Sequence, residues 1–513
     1  MSFPREKGGE TFISRRHAFP AQKLGLFLVM LLSSCWAAWA GDAYLASRLV
    51  AEGLDLARRG QMAEAAIKFR AAAQADPNNV NAYNNLGVIL RRQKDFEGAV
   101  GAFQAALRVR SGEARIHSNL ATALRGLGRL DEAVASMKNA ASLDPNNPTI
   151  RRNLGLLLWQ TGDAQEAEKE LRAAAQQGPG SAEVHRILGS LLAGSQRSRE
   201  AIEEYRAALR LDPRQPSVHY ELGRLYEAQG DLEHAVAEYR AASELDAGYF
   251  EAHQALGSAL LQLGDTDAAA AALGRAVELQ PASGESRRDL GIALYRQGNI
   301  EQAVAELRRA TELLPDDSSS HQNLARALRK VGRTQEAAVA LSATRRLNQR
   351  AKDAIRAKGY NNDGVELLKQ GRVEEATVKL QYALQLNPQY ADAHYNFGRA
   401  LLVDNKLDEA VSEFRLALRL KPDDADTYYY LGRALLAQGQ TAEAVDALEE
   451  AVGLRSSDAA ARNALAVALA KTKRLQRAVS EMRIALGLEP NNPLFRENLV
   501  CLEQRRPGCV LTP

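Results

Sequence analysis

The feature that most limits what this chain can fold into is one pattern that returns every 34 residues from position 46 to position 492. Its landmark is a small residue, glycine in ten copies and alanine in three, which we call the Gly slot. The Gly slot is occupied by Gly53, Gly87, Ala121, Gly155, Gly189, Gly223, Gly257, Gly291, Ala325, Gly364, Gly398, Gly432 and Ala466. The chain therefore consists mainly of thirteen copies of one small structural unit.

Each copy predicts two short helices joined by a polar turn. Alanine lies twelve residues after the Gly slot in all thirteen copies, and a bulky apolar residue follows four positions later. These positions place apolar side chains on one face of each helix. Nine copies then have a proline, which cannot continue a helix and so ends the second one. Neither helix can bury its apolar face alone, so neighbouring copies must stack.

The Leu-Gly, Ala, bulky apolar, Ala and Pro positions together resemble the tetratricopeptide repeat family. This resemblance implies an all-α fold, a right-handed α-solenoid (superhelix) of about 13 helix hairpins plus a C-terminal capping helix. It also implies a continuous concave groove that binds a protein or peptide partner.

Breaks in the pattern predict the domain limits. These are a signal peptide at 1–40, nine repeats at 41–351, a joint at 352–356, four repeats at 357–492, a capping helix at 493–506 and a tail at 507–513. The joint is predicted because the Gly slot shifts by five residues after Ala325 and because Asp363 replaces the usual leucine before the next Gly slot. Repeat nine lacks its final proline, so its second helix is predicted to continue through residues 344–358.

The first forty residues predict an export signal. Five basic residues precede or flank the uncharged run LGLFLVMLLSSCWAAWA, and the small residues Ala38 and Ala40 suit cleavage before Gly41. A second possibility in the same segment is Leu32-Ser33-Ser34-Cys35, which resembles a lipobox and would leave a lipid anchor at Cys35. We therefore expect a periplasmic or secreted protein, with a lipoprotein as the alternative.

The charge balance limits the kinds of partner that the chain can bind, and the cysteine content allows at most one disulfide outside residues 1–40. Without residues 1–40 the chain has 61 basic and 61 acidic residues, which argues against nucleic acid as a partner, because binding its phosphates requires a basic face. Two cysteines remain, Cys501 and Cys509. A disulfide between them and two free thiols both remain open, because their spacing does not define their geometry.

No motif for catalysis, a cofactor or a metal was found, so we expect a non-enzymatic protein without cofactor or metal site. Six histidines occupy one repeat position, at His117, His185, His219, His253, His321 and His394. They are distributed one per repeat, whereas a metal site needs ligands that converge on one ion. The sequence therefore predicts a structural role for them.

The position two residues before the Gly slot faces the groove in this family. It holds Asn85, Asn119, Asn153, Asn323, Asn362 and Asn396, and the capping helix has Asn498 at the matching place. An asparagine can donate and accept a hydrogen bond, so such a row can hold the backbone of an extended peptide. The row resembles the asparagine ladder in the repeat domain of O-linked N-acetylglucosamine transferase, whose catalytic part has no counterpart in this chain. A purely solvated polar row is the alternative.

Neighbouring groove positions add the basic residues Arg326, Arg399 and Arg433. The expected function is that of an exported scaffold that binds a peptide or a partner helix in its groove. The alternative is a recruiting subunit of a glycosyl-transfer, polysaccharide-export or secretion complex, with catalysis in another protein.

Overall fold

The computed structural model describes residues 42–178, 180–504 and 511–513. Every regular element in these residues is an α-helix, as predicted. Contacts divide the chain into two compact units, unit 1 to Pro281 and unit 2 from Ala282. The predicted signal peptide, with Cys35, and Cys509 in the predicted tail lie outside the described residues. No helix among the described residues is long and apolar enough to cross a membrane.

Unit 1 contains fourteen helices in its described residues. They are α1 (42–58), α2 (Met62–Ala75), α3 (Val80–Arg92), α4 (Phe96–Val109), α5 (Ala114–Gly126), α6 (Leu130–Leu143), α7 (Pro148–Gln160), α8 (Ala164–Gln177), α9 (Ala182–Gly194), α10 (Ser198–Leu211), α11 (Pro216–Ala228), α12 (Leu232–Leu245), α13 (Phe250–Leu263) and α14 (Thr266–Leu279). Each consecutive pair from α3/α4 to α13/α14 packs as a hairpin, and each hairpin packs on the next.

Unit 2 contains twelve helices in its described residues. They are α15 (Gly284–Gln297), α16 (Ile300–Leu313), α17 (Ser318–Lys330), α18 (Thr334–Lys369), α19 (Val373–Leu386), α20 (Ala391–Val403), α21 (Leu407–Leu420), α22 (Ala425–Gln438), α23 (Thr441–Leu454), α24 (Ala459–Lys471), α25 (Leu475–Leu488) and α26 (Pro493–Gln504). Consecutive helices pack as in unit 1, and α26 packs on α25 in the place predicted for the capping helix.

The Gly slot is small because a bulky side chain of the second helix lies directly on it. A Cβ atom added to Gly87 would be 2.6 Å from the Phe103 ring, which is fully buried. Every phenylalanine or tyrosine sixteen residues after a Gly slot faces a glycine, whereas Ala121 faces the flexible Met137. The two positions therefore form one packing unit in which ring size and slot size are linked.

This linkage gives a testable prediction. Gly87→Ala is expected to lower the free energy of unfolding by about 1–3 kcal/mol, because the rigid Phe103 ring must move to admit the methyl group. Adding Phe103→Met should recover part of that loss, since Ala121 and Met137 already form the same combination in the next hairpin. Hydrogen exchange of the α3/α4 amides measures both effects. Equal protection in Gly87→Ala and in the unchanged chain would contradict the prediction.

Turns within hairpins are fixed by local backbone chemistry. Gly264 ends α13 with φ +88°, a left-handed conformation that favours glycine. Asp265 follows, and its carboxylate accepts a hydrogen bond from Ala268 N at 3.1 Å at the start of α14. The reversal between the two helices is thereby defined within two residues.

Helix α18 has no such turn within it, and it runs for 36 residues without a break. Its first part packs with α17 through Ala337 and Ala340, and its last part packs on α19, where Gly364 faces Leu380. No residue from 348 to 356 is buried. The second helix of repeat nine and the first helix of repeat ten are therefore one helix, as the missing proline predicted.

The predicted joint at 352–356 lies inside this helix, and the two compact units divide between Pro281 and Ala282 instead. The five extra residues are accommodated by helix fusion, which removes the turn between two repeats. The predicted division into nine and four repeats stays a prediction.

Candidate functional site

Side chains 35 residues apart meet across neighbouring repeats along the first helices of the hairpins. One partner lies three residues before a Gly slot, and the other lies two residues before the next Gly slot or its equivalent in α26. In three of these pairs both residues are asparagines. The asparagine that comes later in the chain donates Nδ2–H to Oδ1 of the earlier asparagine. The pairs are Asn119 with Asn84 at 3.0 Å, Asn396 with Asn361 at 3.0 Å and Asn498 with Asn463 at 2.8 Å.

The Asn463–Asn498 pair binds a peptide unit of the chain itself, and we call it the clamp. Asn498 Nδ2 donates to the Thr512 carbonyl oxygen at 2.8 Å, and Thr512 N donates back to Asn498 Oδ1 at 3.3 Å. Asn463 Nδ2 donates to the same carbonyl oxygen at 3.1 Å. Both asparagines are buried. The clamp therefore holds main-chain atoms only and makes no hydrogen bond to the Thr512 side chain.

Capping hydrogen bonds at the starts of α24 and α26 position the two asparagines of the clamp. The Asp458 carboxylate accepts from Ala461 N at 3.0 Å at the start of α24. Asn492 Oδ1 accepts from Leu494 N at 3.1 Å at the start of α26. Each clamp asparagine lies in the second turn of its helix, where the helix backbone is already ordered by these caps.

The other predicted asparagines are placed differently. Asn153 Oδ1 accepts from Arg152 Nη2 at 3.1 Å, and Asn323 Nδ2 donates to the Ser319 carbonyl oxygen at 3.0 Å within its own helix. Asn85 is half-buried and Asn362 is exposed. Of the seven asparagines predicted from sequence, three are therefore joined to a second asparagine across a repeat boundary.

Two of the three predicted arginines, Arg399 and Arg433, line a cavity beside the segment that contains Thr512. The cavity has a volume of about 650 Å³ and is lined by Arg399, Tyr430, Arg433, Lys471 and Pro513, among other residues, with no aspartate or glutamate side chain in its wall. Arg399 and Arg433 lie on the Tyr430 ring, at 5.0 and 5.7 Å from its centroid. Arg326, the third predicted arginine, is exposed and does not line this cavity.

The neighbouring tyrosines complete this wall. Arg399 also lies 5.5 Å from the Tyr395 ring, and Arg433 lies 5.6 Å from the Tyr429 ring. Burial raises the pKa of both Tyr395 and Tyr429, so their phenols remain neutral in water of ordinary pH. The positive charge of the two guanidinium groups is therefore not offset by the rings beside them.

A cavity of about 550 Å³ in unit 1 lies at corresponding helix positions but has different electrostatics. Arg186, Glu221 and Arg224 line it, and Glu221 forms an ion pair with Arg224 at 3.1 Å. One carboxylate thus offsets part of the positive charge there. The cavity of unit 2 is the more strongly cationic of the two.

Two of the six histidines, His219 and His394, brace their hairpins through both ring nitrogens, which agrees with a structural role for this position. In His219, Nδ1 lies 2.6 Å from Glu238 Oε2 and Nε2 lies 3.0 Å from the Pro213 carbonyl oxygen. His394 has the same arrangement with Glu413 and the Pro388 carbonyl oxygen. Both partners of each ring are hydrogen-bond acceptors, so the ring satisfies both by donating from both nitrogens as imidazolium.

The braces give a pH prediction. The hydrogen bond that His219 donates to Glu238 raises the pKa of His219. For His394, burial is the largest single influence and opposes the charge, but the hydrogen bonds to Glu413 and to the Pro388 carbonyl oxygen, together with the Glu413 charge, outweigh it and the pKa is also raised. A raised folded-state pKa stabilises the fold fully below the unfolded value of about 6.5 and loses that effect as pH rises through the folded value. The melting temperature should therefore fall as pH rises from about 6.5 through the raised folded-state pKa values of His219 and His394. Glu238→Gln with Glu413→Gln should flatten this slope, and an unchanged slope would contradict the assignment.

Other candidate chemistry is sparse in the described residues. No three His, Cys, Asp or Glu side chains there are grouped so as to hold a metal ion. Cys501 in α26 is disulfide-bonded, and Cys509, for which the sequence left a disulfide with Cys501 and a free thiol both open, lies outside the described residues.

Sequence models of the tetratricopeptide repeat match residues 124–191 and 367–435, and also 50–114, 255–318 and 429–493. A further TPR repeat model matches 189–230 and 223–264. Together these matches extend over well more than half of the chain. The chain belongs to the tetratricopeptide repeat family. Tetratricopeptide repeat proteins generally mediate protein–protein interaction, and their repeat arrays are typically non-catalytic.

Solved tetratricopeptide repeat structures resemble this chain in fold. PilF of Pseudomonas aeruginosa is 21% identical, with 41% of this chain and 96% of that chain covered and a TM-score of 0.37. YrrB, described as a TPR protein with an unusual peptide-binding site, is 21% identical, with 36% and 96% covered and a TM-score of 0.33. The Cut9–Hcn1 assembly is 16% identical, with 90% and 97% covered and a TM-score of 0.31. No curated protein sequence matches significantly.

Sequence reasoning missed the earlier member of each asparagine pair. Asn84, Asn361 and Asn463 lie one residue out of phase with the predicted row, so the 34-residue period does not select them. The available signal was a second spacing, two asparagines 35 residues apart. In this tetratricopeptide repeat protein that spacing, and not the slot alone, indicates which asparagines act together.

Proposed function

We propose that this protein is an exported scaffold that binds an extended segment of a partner protein by its backbone, in the groove of unit 2. The observation that carries the proposal is the clamp, in which Asn463 and Asn498 together make three hydrogen bonds to the main chain of Thr512. An asparagine side chain and a peptide unit have the same donor and acceptor groups, so the pairing does not depend on the ligand's side chains.

The cavity beside the clamp supports a preference for acidic segments. It presents Arg399, Arg433 and Lys471 and has no aspartate or glutamate side chain in its wall. In a site partly removed from water, charge-assisted hydrogen bonds from guanidinium to carboxylate are stronger than neutral ones. The clamp would fix the backbone of the partner, and the cavity would favour an acidic side chain next to the held residue.

Binding of a synthetic peptide tests the proposal. The full chain carries Thr512→Pro, because proline lacks the N–H that Asn498 accepts and so weakens occupation of the clamp by the chain's own segment. A fluorescent peptide with the sequence of residues 507–513, with Cys509→Ser, is then titrated and its anisotropy measured. Saturable binding is expected, and adding Asn498→Ala should weaken it about tenfold through loss of two hydrogen bonds.

Asn153→Ala is the matched control. Asn153 occupies the same repeat position as Asn498, but its side-chain oxygen is held by Arg152, so its removal should leave peptide affinity unchanged. Equal affinity in the Asn498→Ala and Asn153→Ala chains would refute backbone binding by the clamp. For export, the mass of the mature N-terminus is decisive: a start at Gly41 or a lipidated Cys35 supports it, and a retained Met1 opposes it.

A further inference from the structure

The pair Asn84–Asn119 in unit 1 contains the same side-chain hydrogen bond as the clamp. Asn119 Nδ2 donates to Asn84 Oδ1 at 3.0 Å, compared with 2.8 Å for the matching bond from Asn498 to Asn463. Asn84 and Asn463 both lie three residues before a Gly slot, and their partners follow 35 residues later. In both pairs this bond uses the same atoms and leaves Nδ2 of the earlier asparagine and Oδ1 of the later one to bind another group.

In the pair Asn84–Asn119, the amide groups that correspond to those holding Thr512 make no hydrogen bond outside the pair within the described residues. In the clamp these groups are Nδ2 of Asn463 and both side-chain amide groups of Asn498. Among the described residues, Asn84 Nδ2 makes no hydrogen bond, and neither does Asn119 Oδ1. Asn84 is only 4% exposed, but its Nδ2 atom remains accessible to solvent. A buried amide with an open, accessible donor is an unfinished hydrogen-bonding site.

Other asparagines at these positions are already engaged. Asn396 Oδ1, the acceptor of the Asn361–Asn396 pair, faces Arg399 Nη1 at 3.5 Å. Asn153 has no asparagine 35 residues before it, since residue 118 is serine, and its oxygen is held by Arg152. Asn84–Asn119 is thus the asparagine pair whose donor and acceptor are both open in the described residues.

We infer that Asn84–Asn119 is a second binding site for peptide backbone, in unit 1, which takes one peptide unit of an extended polypeptide. Asn84 Nδ2 and Asn119 Nδ2 donate to the ligand's carbonyl oxygen, and Asn119 Oδ1 accepts its N–H. The inference rests on the proposed function, because it assigns to this pair the chemistry of the clamp. The ligand residue that is held cannot be proline, which has no N–H.

The test uses the full chain labelled with ¹⁵N in its asparagine side chains, with signals assigned by single substitutions. The clamp is occupied by the chain's own Thr512, so the added peptide, N-acetyl-Gly-Val-Leu-Thr-Gly-amide, is directed to the open pair. Its titration is expected to shift the Nδ2 signals of Asn84 and Asn119 and to leave those of Asn153 in place. A peptide with N-methylated threonine should bind about tenfold more weakly, because it lacks the N–H and its methyl group clashes with Asn119 Oδ1.

Asn84→Ala should abolish the shift at Asn119, while unchanged Asn153 signals report that the neighbouring hairpin remains folded. Two results would overturn the inference: no response of Asn84 and Asn119 at peptide saturation, or equal response to the N-methylated peptide. Failure of the proposed function is separable, because it appears as unresponsive Asn463 and Asn498 signals in the Thr512→Pro chain. Response at the clamp without response at Asn84 and Asn119 leaves the proposed function standing and removes this second site.

Discussion

Replacing Phe414 by alanine is expected to destabilise the α20/α21 hairpin by about 3–5 kcal/mol, because the fully buried ring leaves a cavity on the backbone of Gly398. The effect should extend to the groove. The Phe414 ring lies 6.2 Å from the Tyr430 ring and 6.4 Å from the Tyr395 ring, and these two tyrosines support Arg399. Hydrogen exchange of the α20 and α21 amides measures the loss, and peptide anisotropy measures the groove.

Phe103→Ala serves as the matched control for this change. Phe103 occupies the same repeat position in unit 1, is equally buried and faces Gly87. Phe103→Ala should lower the free energy of unfolding of the α3/α4 hairpin by a similar amount. It should leave peptide affinity at the clamp in unit 2 unchanged. If both variants reduced that affinity equally, the link from Phe414 through the tyrosines to the groove would be wrong.

The second large effect is expected from Ile355→Pro in α18. Ile355 is 74% exposed, so the substitution removes little packing, but proline inside a helix costs about 3 kcal/mol or more through a lost hydrogen bond and a clash with the preceding turn. Because no residue from 348 to 356 is buried, no packed side chain in that segment opposes the break. The ion pair of Arg350 with Asp316, at 3.8 Å, is exposed on both sides and adds little resistance. The helix should separate into two parts that unfold independently.

Trypsin cleavage measures this separation, since Arg350 and Arg356 flank the substituted residue. Ile355→Pro should be cut there much faster than the unchanged chain, and calorimetry should show an additional transition. Ile355→Ala keeps the helix and is expected to behave as the unchanged chain does. Cleavage of the proline variant at the unchanged rate would show that α18 is not held as one helix.

The repeat architecture could be predicted from sequence because each Gly slot must be small to leave room for the bulky side chain sixteen residues later. Gly87 leaves room for Phe103, and Ala121 is allowed where Met137 replaces a ring. The continuous α18 could also be predicted, from the missing proline after repeat nine. Both features depend on residues close together in the chain, where the period is a direct guide to contact.

The candidate site was predictable only in part, because it depends on contacts across repeats. Asn498 was predicted from its position, but its partner Asn463 lies one residue out of phase with the predicted row, and the role of Thr512 has no local signal. Helix geometry brings positions three and two residues before successive Gly slots together, which a search for one recurring position does not reveal. The histidines, by contrast, bond to groups close to them in the chain: His219 and His394 each contact a glutamate 19 residues later and a carbonyl oxygen six residues earlier.

A receptor that recognises main-chain atoms, as the clamp holds Thr512, places few demands on the side chains of what it binds. Natural partners of this protein could then diverge widely in sequence without losing recognition, provided that proline is avoided at the gripped residue. A shared consensus motif would be a poor guide to them; unstructured, locally acidic stretches without proline at that point are the better criterion.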